Sequence, residues 1–285
     1  MWTTDRVDDA RTRRRALAGR VALVPTMGAL HAGHLAHVEQ ARRVADHVLV
    51  SIFVNPTQFA PGEDLDRYPR PLEDDLAACR AAGVTGVLAP SVDAVYPPGV
   101  SDAVIDVPEL TRELEGAHRP GHYQGVCRVV AKLLNIFTPD VVTFGLKDYQ
   151  QLKVIEAMVA DLMIPVEILP VATVREPDGV AMSSRNQYLD AQQRHHALGL
   201  SKALNQARML VEQAGEVDPA AVEQAMTQVL EAHHLEVDYA VVRHAQSLRP
   251  IDCIEPGHDG HVVALIAAWL GHVRLIDNQV LRPGA

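Results

Sequence analysis

Cysteine is scarce in this chain of 285 residues: Cys79, Cys127 and Cys253 stand far apart, and none forms a Cys-x-x-Cys pair. Three thiols at such spacing build neither a disulfide framework nor a thiolate metal site, so reduced structural thiols are expected. Positive charge is also in deficit. Lys and Arg total 26 against 36 Asp and Glu, a net charge of -10. The overall field therefore repels nucleic acid and acidic membranes, and neither is expected as a partner. Any phosphate site must gather positive potential locally. No apolar stretch is long enough to span a bilayer and no basic-then-apolar leader opens the chain, which predicts a soluble, cytoplasmic protein. The length accommodates one large domain or two modest ones, and two are expected.

What is present is an alternation. Apolar β-rich runs at 21–24, 47–54, 84–89, 141–144 and 166–171 are separated by helical spacing at 35–45, 72–82, 126–137 and 150–162. Pro71 opens the second of these helices and Gly83 stops it. The pattern predicts an α/β fold, a Rossmann-like parallel sheet covered by helices. Ligands of such sheets bind beyond the carboxyl ends of the strands, which directs attention to loops 26–34, 55–59, 145–151 and 173–175. Near residue 174 the pattern changes, so 1–173 is expected as the Rossmann-like domain and 174–285 as a smaller α+β domain. There Ala197, Leu200, Leu204, Ala207 and Val211 mark a helix face that Gly215 can end. Asp218 caps a second helix carrying Val222, Met226, Val229 and Leu230. Strands follow at 237–242, 262–267 and 273–276, with Gly260 and Gly271 at turns. The basic run 11–15 reads as a solvated helix face.

Four loops suit phosphate and carboxylate chemistry. Val21-Ala-Leu-Val-Pro-Thr-Met-Gly-Ala-Leu-His-Ala-Gly-His34 leads an apolar run into a glycine-containing turn and a helix start. Helix N-termini present unpaired N–H groups and partial positive charge, Gly28 and Gly33 allow an anion close, and His31 and His34 add donors; the segment reads as a nucleotide triphosphate site. Among 14 histidines a close pair arises readily by chance, and its place after a strand gives it weight. In Ser51-Ile-Phe-Val-Asn-Pro-Thr-Gln-Phe59, the neutral amides of Asn55 and Gln58 can grip a carboxylate or hydroxyl, or can be ordinary turn polarity fixed by Pro56. In Phe144-Gly-Leu-Lys-Asp-Tyr-Gln-Gln151, Lys147 can neutralise a reacting phosphate and Asp148 can hold Mg²⁺, or the two form a solvated pair. In Val180-Ala-Met-Ser-Ser-Arg-Asn186, Arg185 can fork two phosphate oxygens while Ser183 and Ser184 donate to others.

The histidine and serine loops together resemble the paired signatures of the adenylate-forming nucleotidyltransferase superfamily, in which HxGH meets a mobile serine-rich loop across ATP. Pro25-Thr-Met-Gly-Ala-Leu-His-Ala-Gly-His34, Phe53-Val-Asn-Pro-Thr-Gln-Phe59, Arg119-Pro-Gly-His122, Lys147-Asp-Tyr-Gln-Gln151, Ala181-Met-Ser-Ser-Arg-Asn186 and Arg274-Leu-Ile-Asp-Asn278 narrow the likeness. Their order is similar to that of the pantothenate synthetase family, over nearly the whole chain. The resemblance implies ATP-dependent joining of pantoate and β-alanine through a pantoyl adenylate, by a cytoplasmic homodimer. It implies an ATP site of Met27, Gly28, Ala29, Leu30, His31, Ala32, Gly33, His34, Gly145, Leu146, Lys147, Asp148, Val174, Met182, Ser183, Ser184 and Arg185. Gln58 and Gln151 would hold pantoate, and Asp148 would face Mg²⁺ on the phosphates. His34 and His31, with Lys147 and Arg185, would carry the catalysis, His34 stabilising phosphate and donating a proton at the leaving group. Arg119 and His122 are either second-rank contributors or loop structure. Leu146 departs from the likeness, standing where the family's Gly-Glu-Lys-Asp run has an acid, whereas Ala181 departs from the wider superfamily and agrees with the family.

Other readings remain in view: another adenylyl- or cytidylyltransferase, which would form no amide, and a catalytically silent ATP-binding scaffold, which Leu146 keeps open. A class I aminoacyl-tRNA synthetase is disfavoured by the short acidic chain. A zinc hydrolase on His31 and His34 is disfavoured by Gly33 and by the lack of an informatively spaced third ligand.

Overall fold

In the computed structural model, which describes residues 1–255 and 262–284, chain segments alternate between strand and helix through the first 171 positions. In order they are β1 (Trp2–Thr4), α1 (Val7–Arg15), β2 (Val21–Thr26), α2 (Ala32–Val44), β3 (His47–Ile52), α3 (Leu72–Ala81) and β4 (Gly86–Leu88). There follow the short helices α4 (Val92–Val95), α5 (Pro108–Thr111) and α6 (Glu115–His118), then α7 (His122–Phe137), β5 (Val141–Gly145), α8 (Tyr149–Asp161) and β6 (Glu167–Val171). The strands form one six-stranded sheet in the order β1-β4-β3-β2-β5-β6, and every recorded pairing is parallel.

The apolar runs become strands because both faces of this sheet are covered. Successive side chains of a strand point to opposite faces, and the packing follows that period. Val21 and Leu23 of β2 pack with Leu49, Leu88, Val142 and the apolar side of α7, whereas Ala22 and Val24 pack with Val48, Val50, Val87 and the Val38–Ala41 face of α2. The three-residue β1 was not foreseen from the sequence. Helix α7 begins at His122, four residues before the expected start, because Gly121 turns the chain with φ +81°. The basic run at 11–15 is not wholly solvated: Arg14 donates from Nε to the Phe137 carbonyl at 2.8 Å and from Nη2 to that of Thr138 at 3.0 Å. A cation there satisfies the carbonyl end of α7.

The strand order fixes where a ligand belongs. From β2 the chain builds outward through β3 and β4, then returns to place β5 on the other side of β2. The order reverses between β2 and β5, and the loops after their carboxyl ends flank the crevice such sheets use for binding.

Contacts divide the chain into one unit of Met1–Leu146 and Gln150–Ala172 and a second that contains Lys147–Tyr149 and the chain from Thr173 onward. In the second, α9 (Ala191–Arg208) and α10 (Pro219–Ala232) accompany a three-stranded antiparallel sheet of β7 (Glu236–His244), β8 (Val262–Leu270) and β9 (Val273–Leu281). Asp190 opens α9 with a capping box, and the Asp218 carboxylate accepts from Ala220 N at 2.9 Å to start α10. Helix α9 runs on into a π turn, Met209–Gln213, before Gly215. Gly271 turns β8 into β9 with φ +59°; Gly260 lies outside the described residues. All three cysteines are free thiols, and burial pushes Cys79 up to about 11 and Cys127 up to about 12. Among the described residues no helix is long and apolar enough to cross a membrane.

Candidate active site

Helix α2 begins in a loop that is already tied down. Gly28 and Ala29 both adopt the left-handed region, at φ +84° and +52°, and a Cβ on residue 28 would lie 2.9 Å from Asp75 Oδ2. Only glycine meets both conditions at once. Asp75, 2% exposed in the first turn of α3, accepts from Ala29 N at 2.9 Å and from Leu30 N at 2.7 Å. The positive end of the α3 dipole favours that buried carboxylate. His31 is the N-cap of α2: its Nδ1 accepts from Gly33 N at 3.1 Å, while its own N–H donates to His34 Nδ1 at 3.3 Å.

Two consequences follow from this reciprocal cap. Both imidazoles use Nδ1 as an acceptor, so each neutral ring carries its proton on Nε2. The rings lie together, with centroids 4.1 Å apart. The amides of Gly28, Ala29, Leu30, His31 and Gly33 are all paired within the protein, Gly28 N with Thr26 Oγ1 at 3.2 Å. The sequence presents such amides as unpaired donors for phosphate; in the structure they are spent within the loop and preorganise it. His37, one turn further on, joins α2 to β5 through Nδ1 and Thr143 Oγ1 at 2.9 Å.

The loop after β3 is fixed from three directions. Gly125 lets α7 approach closely, since a Cβ there would meet the Thr57 carbonyl at 2.3 Å. Asn55 Nδ2 donates to Gln58 Oε1 at 3.0 Å and to Gly125 O at 3.2 Å. The carbonyl of Gln58 accepts from His122 Nδ1 at 2.7 Å, and His122 Nε2 meets Arg119 Nη1 at 3.1 Å. Arg119 grips Glu63 with two bonds of 2.7 Å. Arg119 and His122 thus brace the loop that carries Gln58.

Burial, and then the Arg119 guanidinium, push the His122 imidazole down to about 4. A folded value below the ordinary 6.5 means that folding favours the neutral ring. The stabilisation is complete above pH 6.5, falls as the unfolded chain takes up the proton, and is gone below pH 4. Between pH 7 and pH 4.5, His122→Gln is expected to lose roughly 2–3 kcal/mol less unfolding free energy than the unaltered chain. Urea unfolding at the two pH values measures this, and equal losses would reject it.

Of the adjacent amides at the start of α8, Gln150 is committed inside the protein. It is 5% exposed, its Oε1 accepts from Glu115 N at 3.0 Å, and its Nε2 donates to the carbonyls of Leu110 and Glu113 at 2.7 and 2.9 Å. Gln151 is half-buried. Leu146, in place of the expected acid, packs against the main apolar cluster of the first unit.

In the second unit, Lys147 Nζ lies 3.8 Å from Asp148 Oδ1, and Asn278 Nδ2 holds the Lys147 carbonyl at 2.7 Å. The serine loop springs from a small hairpin in which Arg175 bridges Ala181 and Met182 N donates to Val174 O at 2.9 Å. Arg175 is clamped by both oxygens of the buried Asp277, at 2.7 and 3.0 Å. Ser183 Oγ accepts from Arg185 N at 3.2 Å and caps the turn Ser184–Tyr188. Asn186 and Arg194 both bind Glu176, at 2.7 Å and at 2.9–3.0 Å, bracing the base of the loop.

Asp75, Asp277 and Asn278 have roles that local sequence does not assign. Asp75 stands in the run Glu73-Asp74-Asp75, which reads as ordinary first-turn acid, and its partners lie 45 and 46 residues away. Asp277 and Asn278 stand in the segment Arg274-Leu-Ile-Asp-Asn278, but nothing local in it names their partners.

A six-stranded parallel sheet with a histidine-capped helix at its switch point, followed by a smaller unit with a three-stranded antiparallel sheet, defines a Rossmann-like α/β protein. The chain belongs to the pantoate-beta-alanine ligase family, whose sequence profile matches residues 2–280. It is 48% identical over 273 residues to the pantothenate synthetase of Moorella thermoacetica, covering 95% of this chain and 94% of that protein. It is 53% identical over 262 residues to that of Xanthomonas euvesicatoria, covering 91% of each. The crystal structure of pantothenate synthetase from Thermus thermophilus superposes with a TM-score of 0.93 at 44% identity, covering 99% of this chain and 100% of that one. The pantoate-beta-alanine ligase of Francisella tularensis, solved with a β,γ ATP compound and β-alanine, superposes with a TM-score of 0.81 at 31% identity, covering 98% and 97%.

Proposed function

We propose that this chain joins pantoate to β-alanine at the expense of ATP, through a pantoyl adenylate. Family membership across residues 2–280 carries the reading, and the histidine-capped loop beside the switch point supplies chemistry that suits it. Pantoate brings its own nucleophile, a carboxylate, so no serine or cysteine is needed to attack. A carboxylate oxygen bonds to the α-phosphorus of ATP and the bond to the bridging oxygen breaks, releasing pyrophosphate. The neutral amine of β-alanine then attacks the acyl carbon, AMP leaves, and the amine loses a proton.

Bringing two anions together is the principal obstacle, so alignment and charge neutralisation supply most of the catalysis. His34 Nε2–H stabilises phosphate and serves the leaving group, His31 orients phosphate, and Lys147 and Arg185 oppose the negative charge. Gln58 and Gln151 hold pantoate. The proposed ATP set is that of the resemblance, Met27 to His34, Gly145 to Asp148, Val174 and Met182 to Arg185. Asp148 is an exposed single carboxylate, which fits Mg²⁺ carried in on ATP rather than a resident metal cage. Such an ion would neutralise phosphate charge. A homodimer in the cytoplasm is the assembly and setting proposed with this activity.

Mass spectrometry of a reaction containing ATP, Mg²⁺, pantoate and β-alanine tests the reading. Pantothenate, AMP and pyrophosphate should appear in equal amounts and only with all substrates present. A nucleotidyl product without amide would assign the chain to another nucleotidyl transfer, and no turnover by folded protein would reject the activity.

A further inference from the structure

The direction in which Gln58 faces is decided by its neighbours. Asn55 is 1% exposed, and backbone groups whose roles cannot change bound its amide at both ends. Thr57 N–H, which only donates, lies 3.3 Å from Oδ1, and Gly125 C=O, which only accepts, lies 3.2 Å from Nδ2. Asn55 Oδ1 also accepts from the hydroxyls of Tyr96 at 2.8 Å and Thr57 at 2.9 Å. Nδ2 is left to donate to Gln58 Oε1 at 3.0 Å. The carbonyl end of Gln58 is therefore turned toward Asn55, and Nε2 is turned toward Met27, whose Sδ accepts at 3.2 Å. A thioether is a weak acceptor, so those N–H donors pass readily to an oxygen ligand.

Tyr96 is well placed to hold its end of this chain. The Arg128 guanidinium lies 4.5 Å from the ring centroid and Lys132 Nζ 5.1 Å from it. Lys132 is itself fixed on the Val95 carbonyl at 2.9 Å, and Arg128 pairs with Asp102. Cations over an aromatic face are held there by the ring quadrupole, which restrains the ring and with it the hydroxyl. Burial pushes the Tyr96 phenol up, so it stays protonated and available as a donor.

We propose that Tyr96 is a positioning residue which, through Asn55, holds Gln58 as a hydrogen-bond donor and thereby selects an oxygen-rich hydroxy-carboxylate at this position. The proposal rests on the reading that Gln58 holds pantoate. A flipped Gln58 would present a carbonyl to that carboxylate and repel it. No role in the reacting atoms is assigned to Tyr96.

Calorimetric titration with pantoate in the presence of a non-hydrolysable ATP analogue, and with the analogue alone, tests the relay. The variants are Tyr96→Phe, Thr57→Val, Gln58→Ala and the double variant Tyr96→Phe/Gln58→Ala. Removing either hydroxyl from Asn55 Oδ1 should weaken pantoate binding roughly three- to tenfold, the scale of one hydrogen bond, and leave nucleotide affinity within about twofold. In the Gln58→Ala background Tyr96→Phe should add nothing, since coupled residues are not additive. A merely structural Tyr96 would weaken both ligands together, or weaken pantoate equally with and without Gln58, and either result overturns the relay. An unaltered chain that takes no pantoate defeats the functional reading itself, which separates the two failures. Thr57→Val carries the same comparison should Tyr96→Phe fold poorly.

Discussion

Replacing His34 by alanine is expected to leave the parallel sheet folded and to cut pantoate-dependent ATP–pyrophosphate exchange by about 10²-fold or more, the scale of losing one transition-state donor. The structure separates two contributions within that loss. His34 Nδ1 accepts from the His31 amide as half of the cap, at 3.3 Å, whereas Nε2 carries the proton proposed for phosphate. Asparagine at this position keeps an acceptor near Nδ1 and lacks a group at Nε2; glutamine reaches nearer to Nε2 and vacates Nδ1. If the donor dominates, His34→Gln should retain more exchange than His34→Asn, even though His34→Asn keeps the better cap and the higher melting temperature. Near-normal exchange by a folded alanine variant would remove His34 from the chemistry.

The second large effect belongs to a residue expected to touch no substrate. Asp75→Asn keeps the volume but leaves one acceptor where the carboxylate offered two, and sets an NH₂ against the Ala29 or Leu30 amide. A buried donor left unsatisfied costs about 1–3 kcal/mol, and these two amides hold the left-handed turn that delivers His31 to the start of α2. Adenylate formation should fall roughly 30- to 100-fold, with a lower melting temperature. Hydrogen exchange makes the cause visible: the Ala29 and Leu30 amides should lose protection while the β2 amides keep theirs. Wild-type activity with both amides still protected would show that the turn holds without the carboxylate.

Those two residues also mark what a reader of the sequence could and could not see. His34 announced itself, because an apolar run, a glycine turn and a paired histidine are contiguous and local. The β2, β3 and β5 runs were legible for a related reason: strands covered on both faces need continuous apolar residues, and Val-Ala-Leu-Val offers little else. Strand β1 was invisible at three residues, too short for any period. Asp75 was hidden because its meaning lies in partners far along the chain. Gln150 and Gln151 show the same limit at the smallest scale. Two identical side chains stand side by side, and only the carbonyls of Leu110 and Glu113, brought in by a separate segment, commit Gln150 to the interior. Leu146, missing the acid the family pattern suggests, is explained by packing against the apolar cluster, while Lys147 has its acidic neighbour in Asp148.

The reversal of strand order beside β2 has a kinetic side. Strand β2 finds β3 about two dozen residues along the chain, but its other edge waits for β5, and the Val21 amide reaches its Asp140 acceptor across 119 residues. Closing so long a loop is entropically costly and is repaid only when β5 docks, so this pairing is expected among the late events of folding. Until then β2, whose residues Val21 to Val24 are fully buried in the finished sheet, exposes an unpaired edge, the feature through which partly folded chains aggregate. The reversal of strand order that opens a crevice beside β2 is thus also a point of vulnerability during refolding.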